Sequence, residues 1–184
     1  LAGGVSAEDM CLDVITDAMR RVGDAWERGD ASVGDEHQAR IIASRLVAHL
    51  APQLTRRGRK RAPIVLGSVA GEQHDLPVEL LAATLRGRGH RVIELGADTP
   101  PDAFADAVRY NMPVHAVGVY VARENDAAVA ETVDAVRDVA ADLPILVGGD
   151  GIADAAHAAR LGAMPVHGDG HVALDALTSP DSVA

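Results

Sequence analysis

The chain has 184 residues, enough for one domain with a full core or for a small domain carrying a helical appendage. Apolar residues make up 48 %, but the aromatic set is one Trp, two Tyr and one Phe, so the core must be aliphatic. Seventeen basic against 27 acidic residues give a net charge of −10, which argues against direct nucleic-acid binding.

Cys11 is the only cysteine, which excludes an internal disulfide or a thiolate metal cage. No apolar run approaches the roughly 18 residues of a membrane span and no signal peptide is visible, so a cytoplasmic protein is expected. The chain begins at Leu1 rather than Met, as expected of a fragment or a processed protein.

In chain order, residues 1–54 read as a helical cap, a partial helix bundle. Cys11, Val14, Ile15, Ala18, Met19, Val22, Ala25 and Trp26 recur at three- and four-residue steps and predict one helix with a single apolar stripe, stopped at Gly29. Ser32 followed by Asp35 has capping-box spacing, so a second helix is predicted from Val33, its stripe running through His37, Ile41, Ile42, Leu46 and Leu50. Two helices bury two such stripes poorly, which leads us to expect a further helix from upstream or from a partner.

Residues 55–62 hold five cations and read as a solvated linker, with a local anion or nucleic-acid contact as the alternative. From residue 63 to 184 short β runs alternate with helices. Strands are predicted at 64–69, 91–95, 116–121, 145–147 and 165–167, and helices at 78–88, 102–110, 126–141, 152–161 and 171–177. Continuous apolar strands in βα units predict a five-stranded parallel sheet, flavodoxin-like and doubly wound, with its ligand site at the strand carboxyl ends. The first such turn carries Glu72, Gln73, His74 and Asp75 before Leu76 opens a helix.

The order Glu72-x-His74, then L-G-A-D-T-P-P at 95–101, then the Gly148–Gly149 turn, resembles the cobalamin-binding domain family. Upstream, Trp26 followed after nine residues by Glu36 and His37 resembles the helical cap of CarH-type adenosylcobalamin-dependent photoreceptors, here without a DNA-binding domain. The resemblance implies a Rossmann-like domain in which His74 is the lower axial ligand of cobalt. It also implies a cofactor site formed by Glu72, Gln73, Asp75, Leu76, Tyr120, Gly148 and Gly149, and by Trp26, Glu36 and His37 from the cap. Imidazole suits such a metal, and its second nitrogen needs a partner, which Glu72 can supply.

Three positions depart from the family pattern. Pro77 stands where the first motif has glycine, and Tyr120 where a serine lines the pocket for the nucleotide tail. Glu27 stands where the photoreceptors carry a second histidine.

The expected function is therefore a cobalamin-binding light sensor and regulator that is not itself an enzyme. Loss of the adenosyl group would shift the cap and alter a homo-oligomer, a light-dependent dimer or an output partner. Adenosylcobalamin is the expected cofactor, with methylcobalamin the alternative. The rival function is a corrinoid methyl carrier of a methyltransferase system. A third variant holds an additional bilin such as biliverdin, non-covalently because no cysteine lies near the site.

Overall fold

In the computed structural model, residues 4–55, 58 and 61–179 are described. Five strands, β1 (Arg61–Ser68), β2 (His90–Glu94), β3 (Ala116–Tyr120), β4 (Ile145–Gly148) and β5 (Met164–Val166), form one all-parallel sheet in the order β2-β1-β3-β4-β5. The expected doubly wound fold is therefore present. The first strand starts earlier than predicted, at Arg61, because the Arg61 amide already bonds to the Gly89 carbonyl at 2.9 Å. Most of the basic stretch (56, 57, 59 and 60) lies outside the described residues.

Alternation along the strands divides the core in two. Val65, Val117, Val119, Val121, Ile145 and Val147 face α5 (Pro101–Asn111) and α6 (Asp126–Val139), where Phe104 is fully buried. Ile64, Leu66, Ala116 and Leu146 face α4 (Leu76–Gly87) and α8 (Gly170–Thr178). A short helix, α7 (Ala155–Arg160), precedes β5.

The cap departs from the periodicity reading in a systematic way. Its first helix is α1 (Ala7–Asp9), a π-helical turn (Met10–Ile15) and α2 (Thr16–Glu27) in succession. A π turn inserts one residue and rotates everything after it. Cys11, Leu12 and Ile15 are buried, whereas no residue of α2 is, and Val14 and Trp26 stand exposed. The expectation that Trp26 continues a buried stripe is thereby corrected.

In α3 (Val33–Leu54) the capping box of Ser32 and Asp35 is present, with reciprocal hydrogen bonds of 2.8 and 3.2 Å. Its buried face, however, is Ala43, Val47, Leu50 and Leu54, while Ile41, Ile42 and Leu46 are exposed. This face is buried because α3 packs on α4, where these residues meet Leu76, Leu80 and Ala83. A Cβ on Gly87 would lie 2.7 Å from the Leu54 carbonyl oxygen, so the helix ends approach too closely for any other residue. The cap thus closes onto the sheet domain itself. Further ties are the Arg88–Glu8 ion pair at 2.7 Å and the His171–Asp13 contact at 3.0 Å. No described helix is long and apolar enough to cross a membrane.

At the opposite end of the sheet from the strand carboxyl ends, His90 is buried with its Nε2 lacking a partner among the described residues, its ring 5.3 Å from that of His115. Burial depresses its pKa below the ordinary 6.5; the Ala62 carbonyl opposes this, and His115 and Arg61 add to it. Above 6.5 the ring is neutral in both folded and unfolded chains. As pH falls through 6.5 only the unfolded chain gains the proton, so stability declines until the folded value is passed. Urea midpoints measured from pH 8 to 5 should fall below pH 6.5 in the wild type, and less steeply in His90→Phe.

Candidate functional site

The sheet order reverses at β1, whose neighbours β2 and β3 lie on opposite sides, and this switch point places a crevice outside the carboxyl ends of β1 and β3. The turn that follows β1 is held from several directions. The buried Ser68 hydroxyl donates to the His74 carbonyl at 2.8 Å. From the β2–α5 loop, the Asp98 carboxylate accepts the Gly71 amide at 2.7 Å, and the Asp98 amide donates to the Glu72 carbonyl at 2.7 Å. Asp98 takes a left-handed φ of 48°, which Asp tolerates better than most residues. From the β3–α6 loop, the Asn125 side-chain amide donates to the Ala70 carbonyl at 3.2 Å.

At the centre of this turn Glu72 is buried and accepts three N–H groups. Its Oε1 receives the His74 amide at 2.9 Å and lies 2.5 Å from His74 Nδ1, and its Oε2 receives the Ala122 amide at 2.8 Å. Burial raises the Glu72 carboxyl, but the donors from His74 and Ala122 outweigh it and hold the group below the ordinary carboxylate value. An ionised carboxylate only accepts, so Nδ1 carries the proton and the lone pair of neutral His74 sits on Nε2. The His74 side chain is 56 % exposed. A half-exposed imidazole with its far nitrogen bonded to a carboxylate is the arrangement of a metal-ligating histidine.

Asp75, next along, is gripped by the fork of Arg40 from α3, with Nε donating to Oδ1 at 3.0 Å, and Ser44 one turn later donates to Glu79 at 2.6 Å. This clamp brings the amino-terminal half of α3 beside the His74 turn. Glu36 and His37, one turn before Arg40, pair with each other at 3.6 Å, and Trp26 is 43 % exposed at the end of α2. No hydrogen bond among the described residues joins those three to the turn. Gln73 is exposed on the turn, whereas Leu76 is buried in the cap-facing core and is a packing residue.

Gly148 ends β4 and Gly149 follows it. Gly149 has φ of +112°, and a Cβ there would lie 2.2 Å from the Val121 carbonyl oxygen. The turn is laced to the end of β3 by Val121 to Gly148 at 3.0 Å and Gly151 to Val121 at 3.1 Å. This chain-on-chain approach accounts for the glycine without any ligand. The ring of Tyr120 covers it, with Cε2 3.0 Å from that same Cβ position. Burial, followed by the negative charges of Glu72 and Asp150, pushes the Tyr120 hydroxyl up to about 12.

Sequence reasoning missed Arg40, Asp98, Asn125 and the Ala122 amide. Asp98 lies within the quoted L-G-A-D-T-P-P run and Asn125 precedes a helix as its cap, so both carried a signal. The Arg40–Asp75 pair and the Ala122 amide carried none.

The site is thus a parallel α/β sheet with a carboxylate-held histidine on its first carboxyl-end turn. The chain belongs to the B12 binding domain family, whose signature matches residues 62–178, and a second signature of the same description matches residues 1–51. It is similar to a corrinoid protein of Desulfitobacterium hafniense, 30 % identical over 45 % of this chain and 40 % of that one. It is also similar to trimethylamine corrinoid protein 1 of Methanosarcina mazei, 24 % identical over 61 % of this chain and 54 % of that one. The chain thus spans about half the length of the curated relatives it matches. Among solved structures, the monomethylamine corrinoid protein of Methanosarcina barkeri superposes with a TM-score of 0.75 at 19 % identity, covering 96 % of this chain and 85 % of that one. The fold of this helical cap and sheet is therefore shared, and cobalamin binding follows from the family.

Two outcomes test the site as built. In the neutral protein, nitrogen-15 NMR should show His74 protonated on Nδ1, and in Glu72→Ala the Nε2-protonated form should become prominent; an unaltered tautomer would separate the two residues. Gly149→Ala should destabilise the fold by roughly 1–3 kcal/mol in urea unfolding, because the new Cβ meets backbone that cannot yield.

Proposed function

We propose that this chain is the corrinoid-carrying module of a methyl-transfer system, with Nε2 of His74 as the lower axial ligand of cobalt. The observation that carries this reading is the Glu72–His74 pair, which fixes the proton on Nδ1 and leaves Nε2 as a donor of the right chemistry. The names of the relatives support the carrier over a light sensor. They are trimethylamine and monomethylamine corrinoid proteins, and a further structural neighbour is a methanol:cobalamin methyltransferase complex. A bound corrinoid supplies a cobalt centre that accepts and releases a methyl group.

The chain's residues do the rest. Glu72 and the Ala122 amide keep the imidazole in one tautomer and one orientation. Ser68, Asp98 and Asn125 hold the turn against the pull of a ligand, and Arg40 locks it to the cap. In this reading Glu72, His74 and Asp98 hold and orient rather than react, the chain carries the methyl group, and a methyltransferase partner completes the reaction.

The light-sensing reading stands second, and one observation favours it. Trp26 offers an exposed indole of the kind that can cover an adenosyl group, and Ile41, Ile42 and Leu46 of α3 are exposed as well. A covalent bilin finds no attachment point, because Cys11 is buried and its thiol is pushed up to about 11 by burial and then by Glu79.

Loading the protein with aquocobalamin should shift its visible spectrum toward a histidine-ligated form and give co-elution on gel filtration. His74→Ala should lose the shift and bind at least about tenfold more weakly. Equal affinity and an equal spectrum in the variant would remove His74 from the metal. Protein loaded with adenosylcobalamin should elute alike in darkness and after illumination if it is a carrier. A change of elution on photolysis that is lost in Trp26→Ala would favour the sensor.

A further inference from the structure

The structure assigns to Tyr120 a second role, which rests on the corrinoid-carrying reading: it selects corrinoids that lack a nucleotide base. A complete cobalamin bears a nucleotide loop ending in a flat bicyclic base, which sits below cobalt when nothing else does. Once His74 takes that position, the base must go elsewhere. Directly beneath the His74 turn lie the two faces of the sheet.

One face is closed by the aliphatic core, where Val69, Val121 and Phe104 are at most 1 % exposed. The other belongs to Tyr120. In the parallel register Ser68 of β1, Tyr120 of β3 and Gly148 of β4 are direct neighbours, so their side-chain positions share one face at the carboxyl end of the sheet. Ser68 is the residue whose hydroxyl holds the His74 carbonyl. Tyr120 therefore stands one strand away from the anchor of the ligand histidine. At Gly148 a Cβ would already meet the Val166 side chain at 3.3 Å, so that side of the face is closed by β5, and the phenol ring lies over the adjoining Gly149 backbone.

One layer deeper the space is taken as well. A Cβ on Gly118 would meet Leu66 at 2.5 Å and Leu177 at 3.1 Å. From the cap, Leu12 reaches between α4 and α8 and lies 2.9 Å from where a Cβ of Gly170 would be. Admitting a base here requires the phenol to leave a largely apolar pocket next to the charges of Glu72 and Asp150. A small hydroxyl side chain at 120 would leave the slot open. A corrinoid without the loop makes no demand on it.

The test is binding of two probes, diaquocobinamide, which lacks the nucleotide loop, and aquocobalamin, which has it. Each is titrated by visible absorbance and equilibrium dialysis into wild type, Tyr120→Ser and Tyr120→Phe, with a thermal melt of every variant. Wild type should bind cobinamide about tenfold or more tighter than cobalamin. Tyr120→Ser should bring the two affinities to within about threefold, chiefly by improving cobalamin, and Tyr120→Phe should keep the wild-type ratio because the ring remains. Wild type that binds cobalamin as tightly as cobinamide overturns the assignment, as does a folded Tyr120→Ser with an unchanged ratio. Wild type that binds neither probe overturns the corrinoid-carrying reading itself, and this inference with it.

Discussion

A buried carboxylate must be neutralised or fully hydrogen-bonded, and the structure of the site follows from how Glu72 meets that requirement. It is 7 % exposed, and three N–H groups converge on its two oxygens. Two of these donors belong to His74 and one to the loop after β3, so a single side chain joins His74 to the end of the central strand. The arrangement forms only if β1 and β3 are adjacent and parallel, with their turns at one end. Sheet order thus sets the protonation pattern of the imidazole, and that pattern fixes which nitrogen is offered outward.

The same logic explains why the cap cannot be treated as an independent bundle. Helix α4 opens immediately after His74 and is apolar on two sides: Val78, Ala82 and Leu85 face the sheet, and Leu76, Leu80 and Ala83 face α3. The cap sets Ala43, Val47, Leu50 and Leu54 against that second face, and α3 lies close enough for Arg40 to fork onto Asp75. Such a bidentate pair, half exposed, adds modest stability but strong orientational preference. Asp75 adjoins His74, so the pair ties that turn to α3. Carrier and sensor would exploit this link differently: the one by keeping the clamp closed, the other by opening it.

The βα alternation, the five strands and the carboxyl-end site were legible in the sequence, because continuous Val, Leu and Ile runs between helical segments admit few other folds. The Glu72–His74 pair was legible as chemistry, since two residue types known to work together stood two positions apart on the right turn. The cap was less so. Periodicity finds which residues are apolar, but a π turn at residues 10–15 shifts the phase, and a close helix contact selects Ala43 over Ile42. Neither leaves a mark that a 3.6-residue count detects. The Arg40–Asp75 pair spans 35 positions and depends on how two helices cross, which no local pattern encodes.

The paired glycines after β4 show how one sequence signal can have two physical sources. A Gly-Gly turn at a ligand-binding edge suggests close approach of a cofactor, yet Gly149 is already required by the Val121 carbonyl, 2.2 Å from where its Cβ would stand. Gly149 is needed because β3 and the turn after β4 are drawn together, with the Tyr120 ring over the junction, whereas a Cβ at Gly148 would meet Val166 of β5. The Tyr120 ring packs there against the core that the sheet shares with α4 and α8. One carbonyl, that of Val121, therefore fixes the residue at 149 whether or not a cofactor is bound.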